Sequence, residues 1–114
     1  MFQSRIIELD TARVVELTGR LDSSSSGEFE KTLPQLFDGP GVRVVFDMAQ
    51  LNYISSAGLR IVLMSAKRAG AAQGKLLMCG LQPHVKEVFE ISGFLKLLDI
   101  SENRDAAVQQ LANA

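Results

Sequence analysis

Ser55-Ser56-Ala57-Gly58 sets two adjacent hydroxyls where a strand-like approach, Leu51 to Ile54, gives way to a helical pattern. Two kinds of chemistry suit hydroxyls at such a place. One is structural: serine is a favoured N-cap because its oxygen accepts from an N–H that the first helical turn leaves unbonded. The other is covalent. The free N–H groups and the dipole of that turn favour an anion, so a serine there can carry a phosphate without strain. One serine suffices for a cap, whereas here two stand together, and the small Ala57 and Gly58 leave the approach uncrowded. From these residues alone both readings of the pair stay open.

Other reactive constellations are scarce. His84 is the single histidine, and just after Pro83 it reads as a surface or capping residue, because a general base needs a positioned partner. A nucleophile elbow G-x-S-x-G around Ser56 requires glycine where Ile54 stands. One Cys and one His make no zinc set. No G-x-x-x-x-G-K-[ST] loop is present, so no phosphate cradle of that kind is expected. Asp47, after an apolar strand, invites comparison with a phospho-accepting aspartate, but the acidic pair that chemistry needs after the first strand is missing. The chain does not read as an enzyme, and no cofactor or metal is expected.

The elements that must position the serines follow from periodicity. Residues 2 to 9 and 13 to 18 are β-branched and broken by Asp10-Thr11, a hairpin pattern. Ser25-Ser26-Gly27-Glu28 has the spacing of a capping box, and Phe29, Leu33, Leu36 and Phe37 then form one buried helical face. Pro34 either kinks that helix or shortens it at its start. Gly39-Pro40-Gly41 is a loop, and Val42 to Phe46 reads as a central strand covered on both faces, ending in a polar turn around Asp47. After Ser56, Leu59, Val62, Leu63 and Ala66 form a core stripe. Arg60, Met64, Lys67 and Arg68 fall on the other side, a mixture of apolar and basic groups that suits docking. Gly70 and Gly74 bracket the helix end. Lys75 to Cys79 is the next strand. Pro83 opens a further helix, with Val85, Val88 and Phe89 inward and Gly93 as its stop. Leu95 to Ile100 is a short last strand or extended segment, and Ser101 caps a final helix with Val108, Leu111 and Ala112 apolar. The order β-β-α-β-α-β-α-β-α predicts one α/β domain over residues 1–114, with helices laid on a partly parallel sheet by right-handed crossovers.

Composition agrees with a globular class. Of 114 residues 46% are hydrophobic and 22% charged, enough for a single core. A net charge of −1 with dispersed Lys and Arg argues against a nucleic-acid surface. The first ten residues lack a signal-peptide core, and no apolar run approaches the ~20 residues that span a bilayer. Cys79 has no internal partner and reads as a buried strand thiol. A cytoplasmic protein without membrane insertion is expected.

D-M-A-Q-L-N-Y-I-S-S-A-G-L, residues 47 to 59, resembles the signature of STAS domains of the bacterial anti-sigma factor antagonist type. Leu17-Thr-Gly-Arg-Leu-Asp22 with Ser25 resembles that family's second-strand exit, and Ile91 to Leu98 its third-helix end, so the likeness runs along essentially the whole chain. It implies a STAS fold, a mixed four- to five-stranded sheet with about four helices. It also implies a partner switch. The unmodified antagonist would bind an anti-sigma factor that is a serine kinase of the histidine-kinase-like ATPase fold, and phosphorylation would release it. A metal-dependent serine phosphatase would reverse the modification. By position the acceptor is Ser56, with Ser55 as second candidate. Asp22 and Ser25 correspond to groups beside the acceptor, Gly58, Leu59, Arg60 and Met64 to the helix presented to the kinase, and Phe94 to a segment near that surface. Two positions depart from many members: Ser55 stands where they carry Asp, and Ala57 where they often carry Ser or Thr. The alternative implied by the resemblance is a constitutive STAS subunit of a lipid-transport or signalling assembly, in which the serines only cap.

Overall fold

A computed structural model describes residues 1–113. The β-branched run Phe2–Glu8 (β1) pairs antiparallel with Arg13–Leu21 (β2), Ile6 opposite Val15 and Glu8 opposite Arg13. The remaining strands, Arg43–Ile54 (β3), Lys75–Cys79 (β4) and Asp99–Ser101 (β5), add in parallel, giving a five-stranded sheet in the order β1-β2-β3-β4-β5. Because the parallel strands are laid down in sequence, right-handed crossovers place every connecting helix on one face. That face carries Ser26–Glu30 (α1), Leu33–Leu36 (α2), Ser56–Ala71 (α3) and Pro83–Ser92 (α4). The other face is covered by Arg104–Ala112 (α5).

The alternation of each strand divides the core accordingly. Val15, Leu17, Val44, Phe46, Met48 and Met78 face the four helices, where Phe29 lies with its ring centroid 5.6 Å from Phe46. Val14, Val45, Leu77 and Cys79 face α5 and meet Ala107 and Leu111. The strand begins at Arg43, one residue later than expected, and its Val44 to Phe46 are sandwiched between the two faces. Burial, with Asp47 contributing, pushes the Cys79 thiol up to about 12, so it is a packing group rather than a nucleophile.

The polar turn expected at Asp47 does not exist: β3 runs unbroken for 12 residues. Its pairing with β2 slips twice, between Glu16 and Thr18 and between Gly19 and Arg20, each time placing one extra residue on β3. Each bulge moves the core-facing position by three instead of two, so the buried series runs Phe46, Met48, Leu51, Ile54. A broken period of that kind looks like a turn in sequence. The carbonyls within the bulges are taken up from the start of α4: Gln82 donates to the Ala49 carbonyl at 2.9 Å, and a His84 ring nitrogen contacts that of Asn52. His84 therefore fastens α4 to β3.

Several helix boundaries differ from expectation. Ser25 makes no capping bond; its hydroxyl turns back to donate to the Arg20 carbonyl at 2.8 Å and accept from the Asp22 N–H at 3.0 Å, so the capping box is absent. The helix is interrupted at Lys31-Thr32, giving α1 and α2 with Pro34 in the first turn of the second. Phe29, Leu33, Leu36 and Phe37 are nevertheless all buried. The stripe of α3 is rotated: Leu59, Ile61, Val62, Ser65 and Ala69 are buried, whereas Leu63, Ala66 and also Met64 are half-buried against the core. The helix passes through Gly70, and the left-handed residue after it is Gln73 at φ 57°. Gly74 is required for a close approach, since a Cβ there would lie 2.1 Å from the Val42 carbonyl oxygen. Gly93 ends α4 at φ 79° as expected. Leu95 to Ile100 divides between a 3-10 turn, Phe94–Leu97, and β5. Asn103, not Ser101, caps α5 by accepting the Ala106 N–H at 2.9 Å, and Ala107 rather than Ala112 joins Leu111 inside.

Candidate functional site

The end of β3 delivers the serine pair. Leu21 and Ile54 are register partners, and one residue on, the Ser55 N–H donates to the Leu21 carbonyl at 2.9 Å. Ser55 is still extended, with φ −95° and ψ 177°, and its Oγ accepts the Gly58 N–H at 3.3 Å. The next N–H but three, that of Leu59, closes the first helical turn on the Ser55 carbonyl at 2.9 Å. Ser55 is the N-cap. Ser56, the first helical residue, is exposed, and its hydroxyl has no partner among the described residues. The two chemistries foreseen for this pair are thereby separated onto different residues.

Gly58 allows that arrangement. A Cβ at this position would stand 2.6 Å from the Leu21 carbonyl oxygen and 2.8 Å from Ile54 Cγ1, so the first turn of α3 rests directly on the exit of β2. Asp22 follows Leu21, whose carbonyl holds the Ser55 N–H. Its carboxylate accepts from the Ser24 hydroxyl at 2.7 Å and from the Ser24 N–H at 3.0 Å. These bonds, the Ser24 hydroxyl foremost, hold the acid below the usual carboxylate range, and it is an anion at neutral pH. Ser25 completes the loop through the contacts described above.

From Ser56 a single row runs along α3, Ser56, Arg60 and Met64 at steps of four. Arg60 is exposed, Met64 is half-buried, and Leu59 is turned into the core. Phe94 is half-buried at the start of the 3-10 turn that packs on α4 and β5. Near it Ile91 and Leu97 are 80% and 69% exposed.

Two clusters escaped sequence reasoning. Arg20 stacks over Tyr53 with its guanidinium 4.2 Å from the ring centroid and lies 3.7 Å from the Asp22 carboxylate. Both residues lie in the 17-to-59 region, but only the second bulge of β3 sets them opposite each other. On the α5 face, Arg104 donates to Asp47 at 2.9 Å through Nε and pairs with Glu16. Asp47 is therefore an anchor for α5, on the opposite side of the sheet from the serines. Among the described residues no group of His, Cys, Asp and Glu is placed to hold a metal ion, and no helix is long and apolar enough to cross a membrane.

With this geometry in place, similarity to known proteins assigns the family. The family model of the STAS domain matches residues 3–107. The chain belongs to the STAS domain family. Within it, the chain is 42% identical over 107 residues to BtrV of Bordetella bronchiseptica, whose name assigns it as an anti-sigma factor antagonist, covering 94% of this chain and 92% of that one. This places it among STAS proteins of the anti-sigma factor antagonist type. Solved structures share the STAS fold. An anti-sigma factor antagonist from Mycobacterium paratuberculosis superposes with a TM-score of 0.86 at 19% identity, over 97% of this chain and 94% of that one. The Bacillus cell fate determinant SpoIIAA in its phosphorylated form superposes with a TM-score of 0.70 at 19% identity, over 97% and 99%.

Proposed function

We propose that this STAS protein is a phosphorylation-controlled antagonist of an anti-sigma factor, working in the cytoplasm, with Ser56 as the switch. Unmodified, it binds an anti-sigma factor that is also a serine kinase of the histidine-kinase-like ATPase fold, and so frees the sigma factor. The kinase transfers the γ-phosphoryl group of ATP: the Ser56 oxygen bonds to phosphorus as the bond to the bridging oxygen breaks, ADP leaves and the hydroxyl proton passes to the kinase. A metal-dependent serine phosphatase restores the hydroxyl by hydrolysis.

The observation that carries this reading is the division of labour at the helix start. Ser55 is committed to the cap, which leaves Ser56 exposed and its hydroxyl without a partner among the described residues. A phosphate adds about −1.5 to −2 charges at a helix N-terminus, where the fold tolerates it. The disruption then falls on the docked surface rather than on folding. Loss of a few kcal/mol at an interface is on the order of a hundredfold in affinity. The name of the Bordetella relative and the phosphorylated form of the Bacillus fold relative agree with this assignment.

The test is incubation with the cognate kinase and ATP. The intact mass should rise by one phosphate, the rise should vanish in Ser56→Ala, and Ser56→Asp should no longer retain the anti-sigma factor. A phosphate that persists in Ser56→Ala moves the site to Ser55 or elsewhere. Undiminished partner binding by Ser56→Asp would instead favour a constitutive STAS subunit.

A further inference from the structure

Arg60 stands one helical turn along α3 from Ser56, exposed and without an ion pair or hydrogen bond among the described residues. On an α-helix, residues i and i+4 share a face, and side chains lean towards the N-terminus, so a long side chain at 60 reaches back over position 56. Arg20, one residue before Leu21, is already held between the Tyr53 ring at 4.2 Å and the Asp22 carboxylate at 3.7 Å. Recruiting it would break both contacts.

We propose that Arg60 is the built-in counter-ion of a phosphate on Ser56. The planar guanidinium matches phosphate oxygens with paired N–H donors, which an ammonium cannot do. The consequence reaches beyond stabilising the modified state. The same pairing withdraws Arg60 from the exposed row Ser56–Arg60–Met64, so that one modification both adds negative charge to the surface and removes a positive group from it. This rests on Ser56 being the acceptor.

The experiment places phosphoserine at position 56 of the full chain by genetic encoding, with no kinase involved, and follows the 31P chemical shift as pH is varied. In the parent protein the second phosphate ionisation lies below the ~6 of an isolated phosphoserine. Arg60→Gln raises it by roughly 0.15 to 0.4 unit, as expected for one i,i+4 pair gaining one negative charge. Arg60→Lys recovers part of the shift, and Arg68→Gln, two turns further on, leaves it unchanged. An unaltered ionisation in Arg60→Gln overturns the proposal, as does a rise in Arg20→Gln that Arg60→Gln lacks. Since the phosphate is installed without the kinase, this result is independent of the kinase assay. A chain that the kinase leaves unmodified at Ser56 sinks the switch, whereas a flat titration sinks only the counter-ion.

Discussion

Neighbouring serines take different roles here because the backbone changes conformation between them. Ser55 keeps the extended geometry that aims its oxygen at the Gly58 N–H, and Ser56, already helical, points its hydroxyl outwards. The two substitutions to alanine should therefore separate stability from regulation. Ser55→Ala should cost about 1 kcal/mol in urea unfolding, the usual loss for an N-cap. Ser56→Ala should stay within about 0.5 kcal/mol, as exposed positions do. The reverse ranking would mean that the cap has been assigned to the wrong residue. The departure from many family members at position 55, serine in place of aspartate, is structurally quiet for the same reason, since either side chain can accept the Gly58 N–H.

At the scale of elements, the start of α3 is positioned by β2 and β3 together, and Gly58 is the point of contact. Gly58→Ala would drive a methyl group to 2.6 Å from a backbone carbonyl that is itself bonded to the Ser55 N–H. The helix must lift or the strand exit must shift. Unfolding should show a loss of about 1–3 kcal/mol, the range for overpacking a tight site, although alanine is the better helix former. A neutral or stabilising Gly58→Ala would show that α3 does not bear on β2 as described. The bulges of β3 belong to the same machinery. They let a 12-residue strand keep Phe46, Met48, Leu51 and Ile54 inward while it presents Tyr53 to Arg20. Gln82 and His84 then satisfy the carbonyls that the bulges release, so α4 is tied to the strand that carries the serines.

For the molecule as a whole, the one-sided distribution of helices leaves α5 alone to cover the second face, and charge supplements its small apolar contact. Arg104 bridges Glu16 on β2 and Asp47 on β3, with the Asp47 side chain 13% exposed. Arg104→Gln leaves those two carboxylates facing each other, and thermal or urea unfolding should register a loss of about 1–2 kcal/mol. Partner affinity and phosphorylation should not change, because the sheet separates this cluster from Ser56. A variant that folds as well as the parent but binds its partner poorly would place an interface on the α5 face. The alternation of strands and helices, the sandwiched Val44 to Phe46, the Pro83 start and Gly93 stop of α4, and the serine pair were all legible from residue order. Each rests on neighbours within about one turn or one pleat, and the motif from 47 to 59 carried the family. Which serine caps, why Asp47 is not a turn, and how Arg20 meets Tyr53 were not legible. Those depend on the register between β2 and β3, where a single extra residue exchanges inside for outside. The Arg104 cluster joins residues 57 and 88 positions apart, and nothing local to any of them marks the others as partners. Short-range periodicity encodes which elements form, and the pairing of distant strands assigns each side chain its neighbour.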